Sequence, residues 1–107
     1  MAQTEQQPVI IDCSIEKALH VLGGKWSFLV IRELFPGKKR FGELKRSIQG
    51  ISAKSLTETL RHLEDNGVLS RHSQATIPPT VEYELTEKGH ASHAMIHEMK
   101  RWGAHWA

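Results

Sequence analysis

The chain is 107 residues long, which suffices for one domain that buries a single core without disulfide or metal staples. Hydrophobic residues make up 39% and charged residues 24%, ordinary for a soluble globular protein, and the longest unbroken apolar run, Phe28-Leu29-Val30-Ile31, is far too short to span a membrane. Formal net charge is +2, so the bulk figure alone selects no partner.

Residues 1–12 show no periodicity and read as a flexible tail, with neither the basic start nor the apolar stretch of a secretory signal. Cys13 is a lone cysteine and has no partner within the chain. Together these features point to a cytoplasmic protein. From Ser14, a plausible N-cap, Ile15, Ala18, Leu19 and Leu22 recur at i, i+3, i+4 and i+7, the stripe of a short amphipathic helix ended by Gly23-Gly24. Cys13 just before that cap would lie in the positive field of the helix start, which favours a reactive thiolate. The plainer alternative is a half-buried small residue without chemistry.

A second helix starts at Lys25, carries apolar residues on more than one side, and stops at Pro36-Gly37. Arg40-Phe41 reads either as a very short strand or as the entry to a third helix, in which Phe41, Leu44 and Ile48 face inward and which ends at Gly50. The fourth helix spans about 52–66, with Leu56, Leu60 and Leu63 inward. Ser52 is preferred as its N-cap over Ser55, which forms an S-x-x-E box with Glu58, because the Leu56 stripe needs a turn before it. Asn66-Gly67 signals its end. Two β-type runs, Val68–Ser73 and Val81–Leu85, flank a loop holding Pro78-Pro79, and form a hairpin over about 68–85. Thr86 caps a final helix over about 87–106, whose stripe is Ala91, Met95, Met99, Trp102 and Trp106.

A helix with small polar and basic residues outward, preceded by a short helix and followed by a hairpin, has the layout of a recognition helix with a wing. Between Lys38 and Arg71 there are eight Lys/Arg against four Asp/Glu, a net +4, which leaves six against eight, or −2, elsewhere. Positive charge thus gathers where phosphates would be met, although a solvated basic face would look the same. The residues expected at DNA are Ser52, Lys54, Ser55, Thr57, Glu58 and Arg61 on the helix, Arg71 and Gln74 on the wing, and Lys39 and Arg40 ahead of the third helix as phosphate clamps. Arg71 is expected in or along the minor groove. Ile15, Leu19, Met95, Met99, Trp102 and Trp106 are candidates for a homodimer interface, since a terminal helix that still shows large apolar groups often pairs with its copy. His90, His93 and His97 fall at i, i+3 and i+7; solvent-facing histidines are the better reading, and neither a metal nor any other cofactor is expected. The chain holds no GxSxG, Walker loop, GxGxxG or CxxC motif, so no enzyme is expected.

The phrases LGGKWSFLVIRELFPGKKRFGELKRSIQGIS, LTETLRHLEDNGVLSR and PPTVEYELTEKG resemble the HxlR-type winged helix-turn-helix regulators, relatives of the MarR group, over about Cys13 to Trp102. The resemblance implies a mainly α fold with a small β-hairpin: a winged helix-turn-helix domain over 13–107 with an added C-terminal dimerisation helix. It implies a homodimeric bacterial transcription factor paired through its first and last helices, with the helix from Ser52 in the major groove of double-stranded DNA. Arg40-Phe41 looks like the family's small first strand and Arg71 to Thr80 like its wing. In redox-responsive members a cysteine at the position of Cys13 senses electrophiles or oxidants; here Ser14 follows it where many relatives carry proline. A roughly palindromic operator follows from two-fold symmetry. The rival is a winged-helix module for protein interaction that never binds DNA, and it lacks the steep salt dependence of a DNA binder.

Overall fold

The computed structural model describes residues 7–107, with side chains from Cys13 onward. In chain order the elements are α1 (Gln7–Leu22), α2 (Lys25–Leu34), β1 (Lys39–Arg40), α3 (Phe41–Ser47), α4 (Ala53–Asp65), β2 (Leu69–Gln74), β3 (Thr80–Leu85), α5 (Glu87–His90) and α6 (His93–Trp106). A three-stranded antiparallel sheet has the order β1-β3-β2. Mostly helical with one small sheet, this is the winged-helix arrangement expected from the sequence.

The core sits where α2, α3 and α4 meet the inner end of the hairpin. Val30, Ile31 and Leu34 of α2 pack with Leu44, Leu56, Leu60, Leu63, Val68, Leu69 and Leu85, all 5% exposed or less. Burying each such side chain contributes about 1.5–3 kcal/mol. α4 is held by both its ends. Ser52 adopts extended backbone and its Oγ accepts from Ser55 N (3.0 Å), so Ser52 is the N-cap and the S-x-x-E alternative is not used. At the other end Gly67 N donates to Glu64 O (3.0 Å) and Val68 N to Leu63 O (2.9 Å), the paired bonds of a Schellman motif. That motif needs the positive φ of 72° at Gly67, a backbone state that side chains disfavour. Lys88 Nζ adds a bond to Asn66 O (2.6 Å), placing a cation at the negative helix end.

Three expectations are corrected. α1 begins at Gln7, so residues 7–12 of the predicted tail are helical and Ser14 is not an N-cap; residues 1–6 lie outside the described residues. Cys13 therefore sits inside α1, and the positive field of a helix start is not available to it. The C-terminal helix is not continuous over 87–106: α5 ends at His90 and α6 starts at His93. Ser92, buried, turns its Oγ back to Gly89 O (2.7 Å), and that competition with the backbone ladder breaks the helix there. α3 stops at Ser47, short of Gly50, so the turn into α4 runs over residues 48–52.

α6 contributes no buried residue, and every described side chain of α1 from Cys13 to His20 is exposed. The radius of gyration, 16.6 Å, exceeds the roughly 13 Å of a compact domain this long; α1 and α6 pack on the core through Val21, Leu22 and Ile96 and leave most of their length exposed.

Candidate nucleic-acid interface

The leucine seam turns one face of α4 inward, and its opposite face carries Lys54, Glu58 and Arg61 at i, i+4 and i+7, with Thr57 beside them. All four are exposed, and none forms an ion pair among the described residues. Ser52 and Ser55 lie at the N-terminal turn; Ser52 uses a lone pair for the cap and keeps its O–H for a phosphate or base acceptor. Small residues at Ser52, Ala53 and Ser55 leave that end of the helix slender, so it can approach base edges closely.

The register of the sheet divides the other predicted residues between two faces. Lys39, Tyr83 and Arg71 are cross-strand partners on one face; Arg40, Glu82 and His72 form the row on the other, and Gln74 shares it. Arg71 is exposed, its Nη1 3.5 Å from Ser73 Oγ. Gln74 Nε2 donates to Glu82 Oε1 (3.1 Å), and Lys38 Nζ reaches the same carboxylate oxygen (3.5 Å), so the wing is braced against the strand-leading lysine. Lys39 is half-buried, its ammonium 3.3 Å from Glu33 Oε1. Of the predicted clamp pair, only Arg40 stands exposed and outside any ion pair among the described residues. Its backbone N–H donates to Glu43 Oε1 (2.8 Å), which fixes the start of α3.

His62, on α4, has a different task. His62 Nε2 lies 3.0 Å from His20 O and 3.1 Å from Val21 O, so it donates to the last carbonyls of α1 and ties that helix to α4. Nothing in the local sequence signals a contact 42 residues away. Cys13 is an exposed free thiol, grouped with Glu16, Lys17 and His20 in a shallow depression along α1. Ile15, Leu19, Met99, Trp102 and Trp106 are 50–70% exposed and Met95 39%, leaving large apolar side chains of α1 and α6 open to solvent.

The chain is similar to known regulators over most of its length. A family model described as HxlR-like helix-turn-helix matches residues 21–107. YkvN of Bacillus subtilis (strain 168), an uncharacterized HTH-type transcriptional regulator, is 43% identical over 95 residues, which cover 89% of this chain and 80% of YkvN. Among solved structures, the redox regulator HypR in its oxidized form superposes with a TM-score of 0.84 at 39% identity, over 89% of this chain and 98% of HypR. The reduced form of the transcriptional regulator YodB from B. subtilis gives 0.78 at 39% identity, over 88% and 92%.

Proposed function

The chain belongs to the HxlR-like helix-turn-helix family and is a transcriptional regulator, not an enzyme; on that premise we propose that it acts as a homodimer on a roughly palindromic operator. The outward row Lys54, Glu58, Arg61 on a helix whose opposite face is sealed in the core carries the reading. Inserted in a major groove, Lys54 and Arg61 reach guanine edges or phosphates, Thr57 and Ser55 meet either, and Glu58 accepts from cytosine N4. Arg40 and Arg71 neutralise flanking phosphates, and Ser52 adds a hydroxyl contact there. Lys39 and Gln74, engaged by Glu33 and Glu82, hold the wing in place and reach DNA only by releasing those partners. The dimer closes over the exposed stripe of α1 and α6, setting half-sites about one helical turn (about 10–10.5 bp) or a multiple apart.

Selection of bound duplexes from a random pool tests this directly: two related half-sites at that spacing are expected, with affinity falling steeply as salt rises. Arg71→Ala should weaken all duplexes about equally, whereas Lys54→Ala should cost on the order of 1–3 kcal/mol on the selected site and relax its sequence preference. No enrichment, with weak binding indifferent to salt, would point to the protein-interaction module instead.

The exposed, unpaired thiol of Cys13 on the proposed dimer helix favours an added reading, response to thiol oxidation or electrophiles, and the redox regulator HypR shares this fold. Two Cys13 thiols brought together lose two protons and two electrons to an oxidant and form an intersubunit disulfide. Diamide treatment followed by a non-reducing gel should give a dimer band that Cys13→Ser abolishes, with altered operator affinity. Absence of both effects removes Cys13 from regulation.

A further inference from the structure

A cavity of about 460 Å³ lies between α2 and α6, away from the outward face of α4 and within the size range of small-molecule sites. Its apolar floor is made by Phe28, Leu29, Phe35, Ile96 and Met99. His93 extends that floor as an aromatic wall: its ring meets Phe35 edge-on at 4.6 Å and stacks with His97 at 6.3 Å, nearly parallel at 4°.

The polar part of the lining is one-sided. Arg32 and Lys100 stand on it, and no carboxylate lines it. Arg32 gives Nη2 to Glu33 Oε2 (3.1 Å), which occupies one of five guanidinium donors and leaves others for a second acceptor. Lys100 enters no ion pair among the described residues. A ring-walled apolar floor with two cations and no acid matches a planar apolar body bearing a single negative group. A cation would meet the unpaired charge of Lys100 there, and a neutral molecule would leave that ammonium and the spare Arg32 donors without an anionic partner. A second copy of the chain is the less suitable occupant. Met95, Trp102 and Trp106 point about a third of a turn round α6 from Ile96 and Lys100, so pairing along that stripe covers the neighbouring face. Met99 alone belongs to both.

We propose that this cavity binds a small aromatic carboxylate, its ring between Phe35, Ile96 and His93 and its carboxylate on Lys100 and Arg32. Such a molecule bridges α2, which packs on α4, to α6. Binding stands or falls independently of the DNA reading, because it is measured on the protein alone.

Calorimetric titration of the full chain with 2-naphthoate and with 2-naphthalenemethanol, its neutral counterpart, tests the assignment. The carboxylate is expected to bind about tenfold or more tightly than the alcohol. Lys100→Glu, at an exposed position that leaves the core intact, should abolish that preference without changing alcohol binding or the melting temperature. Amide shifts on adding 2-naphthoate should centre on His93, Ile96 and His97. Equal affinity for the two probes, no binding of 2-naphthoate, or shifts confined to other surfaces overturns the proposal. If Lys100→Glu instead moves the monomer–dimer balance while 2-naphthoate fails to bind, the cavity belongs to a second copy and the proposal is equally overturned.

Discussion

Trp102→Glu is expected to leave the protein monomeric and to lower its affinity for a duplex with two half-sites by roughly 10²- to 10⁴-fold. The estimate comes from what the second binding event gains when two reading heads are joined: an effective concentration that multiplies affinity without any new contact with DNA. Trp102 is 65% exposed and lies in the middle of a stripe shared with Met95, Met99 and Trp106 on a helix that has no fully buried residue and packs on the core through Ile96. An exposed apolar surface of that kind on a terminal helix is costly unless covered, and a carboxylate at its centre would have to be desolvated against apolar neighbours. Because the residue is outside the core, the thermal transition of the isolated fold should move little beyond what loss of the partner removes. Sedimentation equilibrium gives the oligomeric state, and titration of one-half-site and two-half-site duplexes separates the two effects. Binding to a single half-site should persist at its low intrinsic level. A variant that remains dimeric, or that keeps full affinity for the paired site while monomeric, sinks the stripe as the interface.

Much of the fold was legible because local signals coincided with tertiary needs. Ser52 and Asn66-Gly67 mark α4 since a cap and a left-handed terminus are local demands that few residue types meet. Val81, Tyr83 and Leu85 alternate because the strand has a core side, and the two-residue strand at Lys39-Arg40 follows from its pairing with Tyr83 and Glu82. The errors came where no periodic stripe existed or where a contact was distant. α1 starts at Gln7, in a stretch that includes Pro8; proline in a first helical turn costs nothing, since its missing N–H has no intrahelical partner there, yet it reads as loop. The break between α5 and α6 depends on Gly89 packing under the hairpin, where a Cβ would collide with Val68 O and Leu85, and on Ser92 bonding back to Gly89. The apolar spacing of 91, 95, 99 and 102 runs straight through that break. Of the site, the outward row of α4 was legible from helical period alone. The ion pairs that occupy Lys38 and Lys39, the anchoring of His62 to α1, and the cavity between α2 and α6 were not, because each joins residues that only the folded chain brings together.

Leu56→Ala should separate the stability of the reading helix from its chemistry. Leu56 is fully buried one turn inside Ser52, directly behind the end of α4 proposed to enter the groove. Its truncation removes apolar burial and leaves a cavity that neighbouring Ile, Val and Leu side chains fill only in part, at a cost of about 2–5 kcal/mol. For a single domain whose total stability is typically about 5–15 kcal/mol, that loss should lower the melting temperature by roughly 10–20 °C. The outward residues Lys54, Glu58 and Arg61 are untouched, since they stand on the opposite side of the same helix. At a temperature where circular dichroism reports the variant folded, its operator affinity and salt slope should therefore stay close to those of the parent, while the outward change Lys54→Ala shows the reverse pattern of a normal melt and weakened reading. Should Leu56→Ala melt within a few degrees of the parent, the packing behind α4 carries less than its burial implies. Should it stay folded yet lose sequence preference as fully as Lys54→Ala, the outward row is not where the base contacts are made.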